Sequence, residues 1–279
     1  MVKMSSMVND ILTGESVQQL CGVYVGYKED FEWNPVIRLE QEKCLSIQEI
    51  PVVWNNPLLI FCYSKRVSEF AAKLGSLVNP AVIVFGNSDK NMTLELCLPF
   101  LNSDKAIRIF CQNLLFVHPK AALLPIGIAN SQWAHGNKTA FLGVDMNKTL
   151  GVFSSFSLHT NKAIRSACLD AITKKGVLNS PFKSQEEYIR ALAKHRFVIC
   201  PEGNGVDTHR FWEAQLVQTV PVVVRSVFIE NVMLLGIPCV VLERWTDFDP
   251  LVLPPYESFT FNSDAFSLGR FKSKLLSLQ

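Results

Sequence analysis

The chain has 279 residues and a mass of 31.3 kDa, which is enough for one large domain or two small ones. Hydrophobic residues make up 48% of it and charged residues 19%, so the composition excludes a disordered chain and is typical of a globular protein with a large core. The net charge of +2 is too small to indicate a surface that binds nucleic acid or a membrane.

The sequence carries no sign of secretion or of a membrane span. Residues Met1–Gly14 lack the long apolar region of a signal peptide, and no run approaches the roughly eighteen apolar residues that cross a bilayer. The eight cysteines show no CxxC spacing, which favours buried free thiols over a disulfide or zinc framework. We therefore expect a soluble cytoplasmic protein without its own membrane anchor, located in the host-cell cytoplasm if its source is viral.

The first half of the chain predicts an α/β domain, with a weaker pattern before Pro57. The expected elements are a strand at Leu58–Tyr63, a helix at Lys65–Leu74, and strands at Ala81–Phe85, Ile107–Cys111 and Ala121–Pro125. The polar segment Gly136–Lys148 predicts an interdomain linker. We expect domains at residues 1–145 and 146–279, with the last helix packing back on the first domain.

The second half alternates apolar strands with helices. Its expected strands are Leu150–Leu158, Phe197–Cys200, Val220–Val224 and Cys239–Glu243. Its expected helices are Thr160–Lys175 before Gly176, Ser184–Lys194 with a capping box of Ser184 and Glu187, Asp207–Gln218 with Asp207 as cap, and Phe228–Leu235 before Gly236. This alternation predicts a parallel sheet covered on both faces. Two such domains would form a cleft at the carboxyl ends of their strands, where ligands bind in open α/β folds.

The segment Phe197–Val224, with the sequence FVICPEGNGVDTHRFWEAQLVQTVPVVV, contains the most informative pattern. Gly203 and Gly205 permit positive φ and close backbone approach, and the next helix begins with free N–H groups suited to phosphate. His209, Arg210 and Glu213 then lie on one helix face, with Arg210 and Glu213 about 4.5 Å apart along the axis. The guanidinium suits a diphosphate and the carboxylate suits ribose hydroxyls. These residues alone leave open an ordinary surface helix with an ion pair.

The same run, PEGNGVDTHRFWEAQLVQTVPVVV, resembles the donor-site motif of exostosin-like glycosyltransferases. That group includes glycosyltransferase family 47, related xylosyltransferases, and enzymes of large DNA viruses that decorate capsid glycans. The blocks LPIGIANSQWAHG at Leu124–Gly136 and GNSD at Gly86–Asp89 resemble two further motifs of the group. The resemblance covers roughly residues 81–245.

This resemblance implies a GT-B fold, with two Rossmann-like domains that bind the acceptor in the first and the donor in the second. It implies transfer with inversion at the anomeric carbon, from a UDP-sugar (UDP-xylose is the first guess) to a hydroxyl of a glycan acceptor. It implies no tightly bound cofactor, and GT-B enzymes usually need no divalent metal. The donor-binding residues that it indicates are Gly203, Asn204, Gly205, His209, Arg210 and Glu213. Arg165 is either a second phosphate contact or a solvated helix residue.

An inverting transfer also needs a general base within reach of the acceptor hydroxyl. Asp89, which follows a strand of the first half, is the first candidate, although it can equally form an Asx turn. His135 is the second, and its alternative is a loop histidine bonded to backbone. Asn113, Asn130 and Trp133 are expected to shape the cleft.

Other functions remain open at this point. Asp247-Phe248-Asp249 is a DxD pattern of the kind that binds Mn²⁺ in GT-A enzymes, although it lies near the C-terminus and precedes Pro250. A sugar-nucleotide epimerase or phosphorylase can use the same two-domain scaffold. A lectin or assembly factor that retains a UDP-sugar site without catalysis is the third alternative.

Overall fold

In residues 9–278, which the computed structural model describes, ten strands form two sheets in which all neighbouring strands are parallel. The strands of the first sheet are β1 (Val23–Gly26), β2 (Cys44–Ser46), β3 (Leu59–Tyr63), β4 (Ala81–Gly86), β5 (Ala106–Cys111) and β6 (Ala121–Leu123), in the order β2-β1-β3-β4-β5-β6. The strands of the second sheet are β7 (Leu150–Phe153), β8 (His195–Ile199), β9 (Val220–Val224) and β10 (Val240–Leu242), in the order β10-β9-β8-β7. The expectation of an α/β fold with two parallel sheets is confirmed.

The same residues contain α-helices in both halves. They are α1 (Gly14–Gln19), α2 (Lys28–Phe31), α3 (Val67–Ala71), α4 (Leu94–Leu101), α5 (Lys162–Thr173), α6 (Gln185–Ala193), α7 (His209–Leu216), α8 (Val227–Leu234) and α9 (Leu268–Leu276). None of these described helices has the length and apolar character needed to cross a bilayer.

The first sheet is apolar on both faces because each central strand alternates its side chains between two buried layers. Ile83 of β4 lies in register between residues of β3 and β5 that share its layer, and these three side chains belong to one core cluster. Phe110 of β5 belongs to the opposite layer. That layer is covered by α9, because Phe271 packs edge-on against Phe110 with ring centres 5.1 Å apart. The C-terminal helix therefore packs on the first sheet.

The central strands of the second sheet, β8 and β9, are likewise largely buried on both faces. Phe197 and Ile199 of β8 contact the layer that contains Cys168 and Ile172 of α5. On the other face, Val198 belongs to the same continuous cluster as residues of the first sheet such as Ile83. The two halves thus share an apolar core. The strands of the first sheet end at Leu123 and those of the second begin at Leu150, so the segment predicted as a linker lies between the sheets.

Several elements differ from the sequence-based expectation. The strands β1 and β2 and the helix α4 were not predicted, because two of them are very short and α4 is apolar on most sides and contains Pro99. The predicted helix Lys65–Leu74 is shorter, since α3 is flanked by 3-10 turns.

Ser184 does cap α6 by accepting a hydrogen bond from the Glu187 amide. The predicted capping box is wrong, because the Glu187 carboxylate accepts from the Lys183 amide instead.

The eight cysteines are free thiols, of which six are buried and two are partly buried. Burial raises the pKa of the Cys200 thiol at the end of β8 to about 12, so this thiol stays protonated at neutral pH. These side chains act as small apolar groups in the core.

Candidate functional site

A cleft of about 1240 Å³ opens between the two halves, at the carboxyl ends of strands from both sheets. Its walls are the loop after β7, the glycine loop after β8 (residues 201–206), one face of α7, the segment that leads into α6, and two loops of the first half. All nine residues predicted from the sequence to bind the donor or to act as the base line this one cleft: Asp89, His135, Arg165, Gly203, Asn204, Gly205, His209, Arg210 and Glu213. The fold therefore brings together groups that are up to 124 positions apart, from Asp89 to Glu213.

Two arginines lie side by side in the cleft and are held by backbone carbonyl groups. Arg165 of α5 is only 6% exposed, and its Nε and Nη1 atoms donate to the carbonyl oxygens of Glu202 at 2.9 Å and Ser157 at 2.7 Å. Arg210 of α7 is partly buried, and its Nε donates to the Ser155 carbonyl at 2.8 Å. Both guanidinium carbons lie 6.0 Å from the centre of the Phe156 ring. The loop after β7 thus fixes both cations.

Neither guanidinium has a carboxylate partner within 4.0 Å among residues 9–278. Burial and, to a smaller extent, the neighbouring Arg210 lower the pKa of Arg165 to about 10, so the Arg165 guanidinium stays charged at neutral pH. Two unpaired cations in a partly dehydrated cleft are costly unless an anion joins them. Arg165 is therefore a buried residue, and the alternative of a solvated helix residue is wrong. The two cations favour an anionic ligand in the cleft.

The glycine loop owes its glycines to close packing and not to unusual torsion angles. Neither Gly203 nor Gly205 adopts a positive φ, so the expectation on this point is wrong. A Cβ atom added to Gly205 would lie 2.5 Å from Oδ1 of Asn113, and one added to Gly203 would lie 3.1 Å from Nη2 of Arg165. The loop is closed by the Gly203 amide, which donates to the Gly205 carbonyl at 3.0 Å. These glycines let the loop approach both the first half and the arginines.

Two buried polar residues join the glycine loop to the first half. Asn113, in a left-handed conformation with φ 52°, donates from Nδ2 to the Ser88 carbonyl and accepts at Oδ1 from the Asp207 amide at 2.9 Å. The Asp207 carboxylate accepts from the Ile126 amide at 2.8 Å and from Nε1 of Trp212 at 2.6 Å. Asp207 was predicted to cap α7, but Thr208 occupies the cap position. The Asp207 side chain instead contacts Ile126 of the first half. This role could not be predicted from the sequence, because Asn113 and Ile126 lie far away along the chain.

Glu213 lies one turn further along α7 and is 5% exposed. Burial raises the pKa of its carboxyl group to about 7, and the attraction of Arg210 opposes this shift. The hydroxyl of Tyr188 on α6 faces Glu213 and is buried without a hydrogen-bond partner of good geometry in the described chain. Tyr188 was not predicted as a site residue, since nothing in the sequence links it to the α7 motif.

Two histidines approach each other across the cleft. Nδ1 of His209 lies 2.8 Å from the Gly127 carbonyl oxygen, and the His209 ring centre lies 6.2 Å from that of His135. His135 is exposed, and its backbone carbonyl accepts from Nε2 of Gln185 at 2.6 Å. Asp89 is also exposed; it does not form the Asx turn considered above, because Ser88 makes that turn by accepting from the Lys90 amide.

The remaining residues named from the sequence lie outside the cleft walls. Asn130 accepts from the Glu15 amide and donates to Asn87, and Trp133 is 55% exposed. In the DxD pattern, the Asp249 carboxylate pairs with Lys175 at 2.8 Å, while Asp247 pairs with Arg244 at 3.3 Å. The two acidic groups are thus each engaged by a different cation outside the cleft.

Within residues 9–278, no group of three or more histidine, cysteine or acidic side chains is arranged to hold a metal ion. Comparison with protein-family models finds none that matches this chain, and comparison with curated proteins finds no match either.

Proposed function

We propose that the protein is an inverting glycosyltransferase of the GT-B type, which transfers a sugar from a UDP-sugar to a hydroxyl of a glycan acceptor. The observation that carries this proposal is the pair Arg165 and Arg210, two buried or half-buried cations without carboxylate partners among the described residues. Their place at the carboxyl ends of parallel strands supports a nucleotide-linked ligand, because that edge is where open α/β sheets bind such ligands.

A diphosphate fits between the two guanidinium groups, with the glycine loop as the adjoining wall. Arginine is suited to this task because its planar N–H groups pair with phosphate oxygens and are weakly hydrated. Glu213, one helical turn beyond Arg210, would accept hydrogen bonds from the ribose hydroxyls. The choice of uridine and of xylose rests on the resemblance of the α7 motif to exostosin-like enzymes.

In the transfer, the acceptor oxygen attacks the anomeric carbon on the face opposite the diphosphate. The bond between that carbon and the phosphate oxygen breaks, and its electron pair stays with the diphosphate. Arg165 and Arg210 would stabilise this growing negative charge. Because they supply two positive charges, we expect transfer to continue in the presence of EDTA.

Thermal unfolding with nucleotides tests the proposal, because a ligand that binds only the folded state raises the melting temperature. We expect UDP and UDP-xylose to stabilise the protein. Arg210→Ala and Arg165→Ala should weaken UDP binding by roughly 10- to 150-fold, the effect of losing a hydrogen bond to a charged group. Arg190→Ala is the matched control, since Arg190 is exposed on α6.

Two results would contradict the proposal. One is equal stabilisation of the wild type and both cleft variants by UDP, which would place the nucleotide elsewhere. The other is the absence of UDP release when UDP-xylose, UDP-glucose, UDP-galactose and UDP-N-acetylglucosamine are each offered with a panel of nitrophenyl monosaccharides.

A further inference from the structure

Three of the seven imidazole or carboxylate groups that line the cleft are Asp89, His135 and His209. They differ in how firmly the protein holds them. The side chains of Asp89 and His135 are exposed and make no hydrogen bond to residues 9–278. His209 is partly buried, and its ring is bonded to Gly127. It alone among these three combines a cleft position with a fixed ring orientation.

The bond to Gly127 also determines where the ring proton lies. A carbonyl oxygen only accepts hydrogen bonds, so Nδ1 of a neutral His209 ring must carry the hydrogen across the 2.8 Å contact. The other nitrogen, Nε2, then has a free lone pair. Nε2 has no partner in the described chain and is not among its fully buried polar atoms, so it is accessible from the cleft.

The surroundings keep this ring neutral. Burial lowers the pKa of His209, and the His135 ring and the Arg210 guanidinium act in the same direction. Asp89 opposes them, as does the hydrogen bond to Gly127. His209 is also the first residue of α7, where the helix dipole disfavours a positive charge.

The position of His209 suits a reaction between ligands of the two halves. The residue belongs to the same helix as Arg210 and Glu213, yet its ring is bonded to a carbonyl group of the first half. An acceptor held against Asp89 and His135 would meet a donor held by Arg210 at this ring.

We propose that Nε2 of His209 is the general base that removes the proton from the acceptor hydroxyl. This inference rests on the proposed glycosyl transfer. As the new bond from the acceptor oxygen to the anomeric carbon forms, the hydroxyl proton moves to Nε2 and the sugar–phosphate bond breaks, with its electron pair leaving on the diphosphate. Asp89 and His135 then line the acceptor side without taking the proton.

The first test needs no substrate. Long-range ¹H–¹⁵N correlation spectra of the wild type, assigned with His209→Asn, should show the Nδ1–H tautomer for His209 at pH 7. Titration should give a midpoint below 6.5, the ordinary value for histidine. A ring protonated on Nε2, or one that is doubly protonated at pH 7, would overturn the assignment.

The second test measures transfer with the donor and acceptor panel described above. His209→Asn keeps an amide donor for the Gly127 carbonyl but has no group at the Nε2 position. We expect kcat to fall by roughly 10²- to 10⁴-fold, far more than any change in the affinity for UDP. The matched control is His118→Asn, since His118 lies in a loop outside the cleft and its Nδ1 accepts from the Lys120 amide.

The pH profile separates a base from a residue that only supports the fold. For the wild type, kcat/KM should fall with unit slope below the titration midpoint of His209, and this acid limb should be missing in His209→Asn. Added imidazole should partly restore transfer by His209→Ala. If His209→Asn transfers at the wild-type rate with the same acid limb, the base assignment is wrong and the transferase proposal stands. If the wild type neither binds UDP nor transfers sugar, the transferase proposal fails and the base assignment fails with it.

Discussion

Replacing Glu213 by glutamine should stabilise the ligand-free protein and weaken nucleotide binding. Burial raises the pKa of this carboxyl group from 4.5 to about 7 in the folded protein. A carboxyl group with a raised folded pKa favours folding fully below pH 4.5, and this stabilisation is lost as the pH rises through 7. Glutamine has nearly the same shape and remains neutral, so the variant does not incur this loss.

The magnitude follows from the two pKa values. The difference of 2.5 units between about 7 and 4.5 corresponds to about 3 kcal/mol in the free energy of unfolding at pH 8. At pH 5 only a small part of the loss has occurred, and the gain is about 1 kcal/mol. For a chain of this size, the gain at pH 8 should raise the melting temperature by roughly 5–10 °C.

Thermal and urea unfolding at pH 5 and pH 8 provide the assay, with Glu32→Gln as a control because Glu32 is exposed. The stabilisation by UDP at pH 8 should be smaller in Glu213→Gln, because the affinity should fall by roughly 10- to 150-fold when the charged acceptor for ribose is gone. A variant no more stable than the wild type at pH 8, or equally stabilised at both pH values, would refute the reasoning about the buried carboxylate.

Two further substitutions test the loop packing and the interhelical contacts. Gly205→Ala should destabilise the protein by about 1–3 kcal/mol, because the new methyl group would lie 2.5 Å from Asn113, whereas Gly151→Ala meets nothing within 4 Å and should be nearly neutral in urea unfolding. Lys148→Met should lower the free energy of unfolding by about 2–4 kcal/mol, since the Lys148 ammonium donates to two carbonyl groups at 2.6 Å and to a threonine hydroxyl at 2.8 Å. The control is Lys194→Met, because Lys194 is exposed. Equal stability of the two variants would contradict this reasoning.

The strands β8 and β9 could be predicted because each is an apolar run bounded by turn residues, whereas the predicted strand Leu150–Leu158 is longer than β7, which ends at Phe153. The run Val220–Val224 matches β9 at both ends, and Gly176 and Gly236 follow α5 and α8 in left-handed conformations, as expected for residues that end helices. The short strands β1 and β2 were missed, since three or four residues give too little periodicity to recognise.

The cleft residues, too, include some that could be predicted from the sequence and some that could not. The α7 motif placed His209, Arg210 and Glu213 on one face through helical spacing, which is a local property. The role of Arg165 stayed open, because an arginine on a helix surface is usually solvated. Its burial depends on the Ser157 and Glu202 carbonyl groups, which belong to loops after two different strands.

The sequence by itself thus determined the alternation of strands and helices and the residues of the glycine loop and α7, because these follow from local spacing and side-chain type. Only the tertiary structure decided that Asp207 faces the first half, where it accepts from the Ile126 amide 81 positions away, and that His209 has a ring nitrogen bonded to Gly127. Contacts of this kind depend on how separate segments pack together, and the pattern within any one segment does not contain them.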